Sequence, residues 1–389
     1  MYSIKTMNHI AQAGLDVLPA GGFRVGAEVS DPDGILVRSA SLHEMELNSN
    51  LRAIARAGAG TNNIPLDKCA QAGVVVFNTP GANANAVKEL ALAALLMASR
   101  NLVGGAAWVR EQAAAGVDLS TAVEKGKSVF AGPEIMGKTL GVVGLGAIGV
   151  LVANAAYKLG MEVYGYDPYL SVETALRLDR HVHCVKDENE LWEKADYITL
   201  HLPYSESTKD TINAGVLART KPGVRVINLA RGGLVNEAAM VEALNAGKVA
   251  RYVTDFPSAG ILAAPNVVAL PHLGASTPES ELNCAVMAAQ SLKEYLENGN
   301  IVHSVNYPDV FMDRGDCARV CALHRNIPNM LLKLTTVLSE GGFNIEHMTN
   351  KARGEYAYTL IDVSGTVSGE NLTALKAVEG VFRIRLIQE

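Results

Sequence analysis

Short apolar runs and amphipathic segments alternate along most of the chain. Residues 139–143 (TLGVV) form an apolar run without polar alternation, which predicts a strand covered on both faces. From Ile148 the apolar positions follow a helical spacing as far as Gly160, a residue suited to end a helix. Residues 162–166 (EVYGY) predict a second strand. The pattern therefore predicts a strand–loop–helix–strand unit.

The same alternation continues on both sides of this unit. Further apolar runs predict strands at residues 34–40, 73–81, 197–202, 224–230, 250–254 and 266–270. Helical patterns fall at residues 86–100 and 236–245. Alternating strands and helices are typical of parallel, doubly wound α/β sheets. We expect one such sheet in the middle of the chain and a second, smaller α/β unit in the first hundred residues.

The pattern changes after about residue 316. Apolar runs predict strands at residues 317–323, 356–363 and 381–387, and amphipathic segments predict helices at 329–342 and 369–380. This order is typical of a separate βαββαβ module, and ~70 residues lie near the lower size of an independent domain.

Composition and charge narrow the class of protein. With 389 residues, 49% of them hydrophobic, the chain is long enough for two or three domains. A net charge of -6 favours neither nucleic acid nor acidic membranes as partners. Five scattered cysteines are typical of reduced thiols, and the N-terminal residues lack the apolar core of a signal peptide. The longest apolar stretch, residues 90–99, is shorter than the ~20 residues of a membrane span. We expect a cytoplasmic protein.

Gly144, Gly146 and Gly149 form the pattern G-x-G-x-x-G between the predicted strand and helix. In this context the glycines permit a tight turn, close approach of a pyrophosphate and close helix packing. Asp167 ends the next strand, where a carboxylate can accept hydrogen bonds from a ribose diol and repel a 2′-phosphate. The sequence therefore predicts a site for NAD rather than NADP. The full candidate set is Gly144, Gly146, Ala147, Ile148, Gly149, Asp167, His201, Pro203, Thr208, Ala230, Asp255 and Gly274.

Two side chains at strand ends suit the oxidation of a hydroxy acid. Arg231 follows a buried strand, and its guanidinium can bind a substrate carboxylate in bidentate fashion. His272 follows another strand, and histidine is suited to accept the hydroxyl proton. We predict these two as the catalytic residues. His181 and His183 have no third ligand nearby in sequence, so no metal site is predicted.

The N-terminal unit contains a second candidate binding region. Consecutive backbone N–H groups in a glycine-rich turn can bind an anion, and cationic or polar side chains lie near that turn in sequence. These candidate substrate ligands are Arg38, Ser39, Arg56, Gly58, Ala59, Gly60 and Lys88. Together they suggest a substrate with a second anionic group, such as a phosphate.

Four stretches together resemble the D-isomer-specific 2-hydroxyacid dehydrogenases. They are residues 57–67 (AGAGTNNIPLD), 137–149 (GKTLGVVGLGAIG), 227–237 (INLARGGLVNE) and 271–277 (PHLGAST). The resemblance implies an NAD-dependent enzyme that oxidises 3-phosphoglycerate to 3-phosphohydroxypyruvate, the first step of serine biosynthesis. It assigns Arg231 to the substrate carboxylate and carbonyl, and His272 to acid–base chemistry. It also implies a homodimer or homotetramer.

The resemblance further implies three domains. They are a flavodoxin-like substrate domain (1–98 plus 286–305), a Rossmann-type NAD domain (99–285) and a regulatory domain (316–389). The last resembles the amino-acid-sensing ACT domains through residues 324–331 (HRNIPNML) and 343–348 (FNIEHM). On that resemblance His324, Asn326 and Asn344 would bind an L-serine effector.

One departure from the family keeps alternatives open. The family usually has a glutamate between the positions of Asp255 and His272, but no acid lies there in this chain. The sequence therefore leaves open which acid, if any, partners His272. The alternatives are another D-2-hydroxyacid dehydrogenase, of the glyoxylate or hydroxypyruvate reductase type, and a catalytically weak scaffold that senses NADH.

Overall fold

The computed structural model describes residues 1–388, which divide into two compact units. Met1–Asn83 and the chain from Pro278 onward form the first, here called the two-sheet unit, and Ala84–Thr277 form the second, the one-sheet unit. This grouping differs from the three domains expected from the sequence. Residues 84–98 pack with the middle of the chain, and the C-terminal module shares a core with the N-terminal residues. The three-domain division remains a prediction.

Five parallel strands form the first sheet of the two-sheet unit: β1 (Tyr2–Met7), β2 (Phe23–Gly26), β3 (Gly34–Val37), β4 (Ala53–Arg56) and β5 (Val75–Phe77). Two helices accompany them: α1 (Gln12–Leu15) and α2 (Leu66–Gln71). The strand order β2-β1-β3-β4-β5 is that of flavodoxin-like sheets. All residues of β3 are buried, as expected of a central parallel strand, and so are those of β5 at the edge of the sheet.

Seven parallel strands form the sheet of the one-sheet unit: β6 (Thr139–Val143), β7 (Glu162–Tyr166), β8 (His183–Cys184), β9 (Tyr197–Leu200), β10 (Val224–Asn228), β11 (Val249–Thr254) and β12 (Val267–Ala269). Their order is β12-β11-β10-β9-β6-β7-β8. The direction of winding reverses beside β6, which lies between β7 and β9. In sheets of this kind ligands bind at the carboxyl ends of the strands near that reversal.

The helices of the one-sheet unit are α3 (Ala84–Ser99), α4 (Leu102–Ala114), α5 (Leu119–Gly126), α6 (Ala147–Lys158), α7 (Val172–Leu176), α8 (Glu188–Lys194), α9 (Ala214–Arg219), α10 (Glu237–Asn245) and α11 (Ala259–Leu262). A 3-10 turn spans Lys127–Phe130. α3 and α6 contribute to one apolar core with β6 and β10. Among residues 1–388 no single helix is long and apolar enough to cross a membrane, although α3 and α4, bent by 67°, pass that test as a pair.

The rest of the two-sheet unit contains a long helix and the predicted βαββαβ module: α12 (Pro278–Asn298), β13 (Ala318–Arg325), α13 (Met330–Glu340), β14 (Ile345–Arg353), β15 (Tyr356–Val363), α14 (Gly369–Lys376) and β16 (Val381–Ile387). The four strands are antiparallel in the order β14-β15-β13-β16. β14 was not located from the sequence. It is an edge strand with mostly exposed side chains, so it lacks an apolar run.

The antiparallel sheet is covered on both faces. On one face, Val320, Ala322 and Ile361 pack against α13 and α14. On the other, Leu323 and Leu360 join the core that surrounds α12 and β1. The module is therefore packed into the two-sheet unit as one of its layers.

Two buried arginines fasten this module to the end of α12. The Arg385 guanidinium donates to the carbonyl oxygens of Tyr295 and Leu296, at 3.0 and 2.9 Å. Arg319, which is fully buried, forms a bidentate ion pair with Asp362 and also donates to Asn298 O at 2.9 Å. Carbonyls in the last turn of a helix have no partner within the helix, so these donors satisfy them.

The Arg319–Asp362 pair predicts a large loss of stability when one partner is removed. Arg319→Met leaves Asp362 buried without its counter-charge, which should lower the free energy of unfolding by about 3–5 kcal/mol. Lys194→Met removes the exposed Lys194–Glu190 pair and should cost less than about 1 kcal/mol. Urea unfolding of both variants measures the difference. Equal effects would contradict the importance of the buried pair.

Candidate functional site

The turn from β6 to α6 is built on close backbone contacts. Gly144 has φ +91°, and a Cβ there would lie 2.6 Å from His201 O. A Cβ on Gly149 would lie 1.9 Å from Gly144 O, so only glycine allows α6 to approach β6 this closely. A Cβ built on Gly146 would meet nothing within 4 Å, and no side chain caps the N-terminus of α6 at this residue. The first turn of this twelve-residue helix is therefore open to an anionic group such as a pyrophosphate.

Asp167 connects this turn to the end of β7. Its carboxylate accepts hydrogen bonds from Leu145 N at 2.9 Å and Tyr169 N at 2.8 Å. Gly144 N donates to Tyr166 O at 2.9 Å in the same place. The carboxylate is thus fixed beside the glycine turn, where a ribose diol is expected.

The loop after β9 forms the other side of the turn. His201 N donates to Val143 O at 2.8 Å, and His201 Nε2 lies 3.1 Å from Thr199 Oγ1. Burial lowers the pKa of His201 to about 4, so its ring is neutral at physiological pH. Thr208 Oγ1 donates to Pro203 O at 2.7 Å and holds the loop closed. His201 therefore lies beside the glycine turn, and Pro203 and Thr208 belong to the loop that follows it.

Arg231 leaves the end of β10 in a turn that Asn228 stabilises. The Asn228 side chain donates to Arg231 O at 2.9 Å and accepts from Ala230 N at 3.2 Å. Sequence reasoning did not single out Asn228, although a polar residue inside the apolar run VINLA is a detectable signal. The Arg231 guanidinium donates to Ala230 O at 2.7 Å. Its remaining donors are suited to a carboxylate.

Asp255 is a buried carboxylate without a hydrogen-bond partner. It is 3% exposed, and within residues 1–388 neither carboxylate oxygen has a partner. Burial raises the pKa of the Asp255 carboxyl, while the charges of His272 and Arg231 oppose that rise. Buried acceptors normally have a donor. The amide of a nicotinamide would supply one, so the residues present fit NAD.

His272 lies at the neighbouring strand end. Leu270 N donates to Thr254 O at 2.9 Å, which keeps the ends of β11 and β12 side by side. The His272 side chain is exposed and meets the Phe256 ring edge-on, with centroids 4.8 Å apart. Phe256 was not singled out from the sequence. The charge of His272 lowers the pKa of the Asp255 carboxyl against the effect of burial, although no hydrogen bond joins the two residues.

The candidate substrate ligands of the two-sheet unit lie at the ends of β3 and β4. Arg38 forms a 2.6 Å ion pair with Glu281 in the first turn of α12. Arg56 donates to Arg38 O at 3.0 Å and to Gly60 O, so it supports the glycine-rich turn. Gly58 N donates to Arg56 O at 2.9 Å. Lys88 belongs to the one-sheet unit, where it donates to Asn85 Oδ1 at 2.6 Å.

The three candidate effector ligands have different surroundings. His324 is buried, and its ring nitrogens lie 2.8 Å from Arg325 O and from Thr359 Oγ1. Asn326 is exposed and donates to Gly354 O at 3.1 Å. Asn344 donates to Glu346 Oε1 at 2.8 Å. In the described chain, no group of three or more His, Cys, Asp or Glu side chains could hold a metal ion.

Comparison with known families agrees with this geometry. The family described as D-isomer specific 2-hydroxyacid dehydrogenase, NAD binding domain, matches residues 92–274. The chain contains the NAD-binding domain of this dehydrogenase family. The matched segment includes the glycine turn and the strand ends that carry Arg231, Asp255 and His272.

Individual proteins similar to this chain in sequence or in structure are also dehydrogenases or reductases of hydroxy acids. The D-3-phosphoglycerate dehydrogenase of Mycobacterium tuberculosis is 38% identical over 292 residues, 72% of this chain and 52% of that protein. The chain spans about half the length of the curated relatives it matches. The NAD+-bound 3-phosphoglycerate dehydrogenase of Entamoeba histolytica has a TM-score of 0.62 and 26% identity, covering 78% of this chain and 98% of that one. An NADPH-dependent glyoxylate/hydroxypyruvate reductase of Sinorhizobium meliloti has a TM-score of 0.65 and 25% identity, covering 78% and 98%.

The unpartnered carboxylate predicts that Asp255→Asn stabilises the protein. Because the pKa of the Asp255 carboxyl is raised, the fold disfavours its charged form. The stability that the neutral carboxyl contributes is therefore lost as pH rises through the pKa of the folded state. The neutral amide should therefore raise the melting temperature near neutral pH by about 2–4 °C. The gain should shrink toward acidic pH, as Asp255 takes up its proton.

Asp167→Asn is the matched control, because Asp167 accepts two backbone hydrogen bonds and should lose stability instead. Differential scanning fluorimetry near neutral pH and at acidic pH measures both variants. A lower melting temperature for Asp255→Asn near neutral pH would show that the carboxylate has stabilising partners within the fold.

Proposed function

We propose that this protein is a D-3-phosphoglycerate dehydrogenase that acts in the cytoplasm at the first step of serine biosynthesis. It would use NAD to oxidise 3-phosphoglycerate to 3-phosphohydroxypyruvate. The observation that carries the proposal is the grouping of Arg231, Asp255 and His272 at one sheet edge. The 38% identity to the mycobacterial enzyme of that name supports the choice of substrate.

The glycine turn, Asp167 and Asp255 would hold the cofactor. When bound, NAD accepts a hydride from the carbon that carries the substrate hydroxyl. The open first turn of α6 offers N–H groups to the pyrophosphate, and Asp167 offers acceptors to the ribose diol. Asp255 offers a buried acceptor to the carboxamide.

Arg231 and His272 would act on the substrate. Arg231 binds the carboxylate and orients the hydroxyl-bearing carbon. His272 takes the hydroxyl proton as the carbonyl forms, and returns it in the reverse reaction. The Asp255 carboxylate lies near enough to His272 for the charges of the two groups to interact favourably. This arrangement would supply the charge partner that the missing glutamate does not.

A second candidate is a glyoxylate or hydroxypyruvate reductase, favoured by the structural likeness to the Sinorhizobium enzyme. That chemistry also uses an arginine and a histidine, but it gives no role to the arginines beside the glycine-rich turn in the two-sheet unit. A weakly catalytic NADH-sensing scaffold would have no use for Arg231 and His272 at strand ends. Phosphoglycerate oxidation gives Arg231 and His272 their roles, and the mycobacterial relative of that name favours it over both alternatives.

Initial rates of NADH formation test the proposal, with 3-phosphoglycerate, D-glycerate and D-lactate compared under identical conditions. We expect 3-phosphoglycerate to give the highest kcat/KM. His272→Asn should lower that value by about 100-fold or more, because general acid–base catalysis contributes 10²–10⁴-fold. Equal rates with D-glycerate would favour the second candidate. Binding of NADH without oxidation of any of the three acids would favour the scaffold.

We also propose that the C-terminal module is an ACT domain that binds L-serine as an effector in a homodimer or homotetramer. Its βαββαβ order and antiparallel sheet fit that type of domain. Asn326 and Asn344 are the exposed polar side chains available to an amino acid, whereas His324 would organise the strand end from within.

Isothermal titration calorimetry with L-serine tests this proposal. We expect saturable binding that Asn344→Ala weakens at least fivefold, because a lost hydrogen bond costs about 1 kcal/mol. D-serine is the control for stereospecific recognition. Absence of heat at millimolar L-serine would leave the module with a structural role alone.

A further inference from the structure

We infer that Glu281 sets the affinity of this protein for the phosphate group of its substrate by competing with that group for Arg38. Glu281 is thus a specificity-determining residue that acts through Arg38. The inference rests on the proposed function, because it concerns how a phosphorylated hydroxy acid is distinguished from an unphosphorylated one.

The ion pair between the two residues is short and accessible. Arg38 Nη2 lies 2.6 Å from Glu281 Oε1, and the two side chains are 37% and 35% exposed. Arg38 follows the end of β3, and Glu281 lies in the first turn of α12. A pair that is open to solvent to this degree can exchange its carboxylate for another anion, since such pairs are worth little.

The neighbouring donors already have hydrogen-bond partners within the turn or beside it. Arg56 donates to Arg38 O and Gly60 O. The N–H groups of Ser39 and Ala40 both donate to Asn8 Oδ1, at 3.0 and 2.7 Å. Releasing Arg56 or these N–H groups would disrupt the turn. Releasing Arg38 from Glu281 requires only a change of partner.

The location of Glu281 lets it give up Arg38 at low cost. An acidic side chain in the first turn of a helix interacts favourably with the helix dipole, so α12 still stabilises the carboxylate after Arg38 has left it. A phosphate monoester carries more charge than a carboxylate and offers more oxygens to a planar guanidinium. Arg38 therefore exchanges a weaker anion for a stronger one.

Glu281→Gln removes the competing charge while keeping the shape of the side chain. The KM for 3-phosphoglycerate should fall by about two- to fivefold, the range expected for an exposed ion pair. Because no catalytic group changes, kcat should stay within about twofold of the parent value. D-glycerate has no phosphate, so its KM should not change.

Glu279→Gln is the matched control, since it removes the same charge from the same helical turn. It should leave the KM for 3-phosphoglycerate within about 1.5-fold of the parent value. Adding Glu281→Gln to an Arg38→Gln background should have no effect, because the partner is already gone. A KM that rises in Glu281→Gln would mean that Glu281 holds Arg38 in place for the substrate, and would overturn the inference. An equal fall with D-glycerate or with Glu279→Gln would also overturn it.

A binding measurement separates this inference from the proposed function. Calorimetry with inorganic phosphate should show binding about two- to fivefold tighter in Glu281→Gln than in the parent, and only when Arg38 is present. If the parent fails to oxidise 3-phosphoglycerate but this difference appears, the proposed function is wrong and the competition at Arg38 stands. If oxidation occurs and phosphate binding does not differ, the competition is wrong and the proposed function stands.

Discussion

The contact between Gly149 and the carbonyl of Gly144 is the constraint on which the nucleotide site depends. A single methyl group at position 149 would lie 1.9 Å from that oxygen, so α6 could not approach β6. This close approach places the first turn of α6 beside the end of β6 and leaves open space above Gly146. Because the seven strands are parallel, the side chains that follow β7, β9, β10, β11 and β12 reach the same edge as this turn.

A buried carboxylate at that edge is unfavourable for stability but has a role in the proposed site. Both carboxylate oxygens of Asp255 are buried without a hydrogen-bond partner in the described chain, and burial raises the pKa of its carboxyl although the charges of His272 and Arg231 lower it. Functional sites often retain such groups at a cost in stability. The buried carboxylate would accept a hydrogen bond from a bound carboxamide and also lies near the charge of His272, so one residue would serve both the cofactor and the acid–base group.

Much of this arrangement could be predicted from the sequence, because the signals are local. The bounds of β6 and β7 were predicted correctly, because each strand is a short run that stops at a turn residue. The glycine spacing identifies the turn between β6 and α6. β14 could not be located, since an exposed edge strand has no apolar run. The proximity of Asp255 to His272 and the ion pair between Arg38 and Glu281 were also not predicted. Both depend on contacts between residues distant in sequence, 17 positions apart in one case and 243 in the other.

On the proposed function, the edge carrying Arg231, Asp255 and His272 would direct a hydride from a phosphorylated hydroxy acid to NAD. The most direct test uses 3-phosphoglycerate with deuterium in place of hydrogen at the hydroxyl-bearing carbon. Mass spectrometry of the reduced cofactor after turnover should find one deuterium per molecule, because a hydride does not exchange with water. Unlabelled reduced cofactor, with the deuterium released to solvent, would contradict the account.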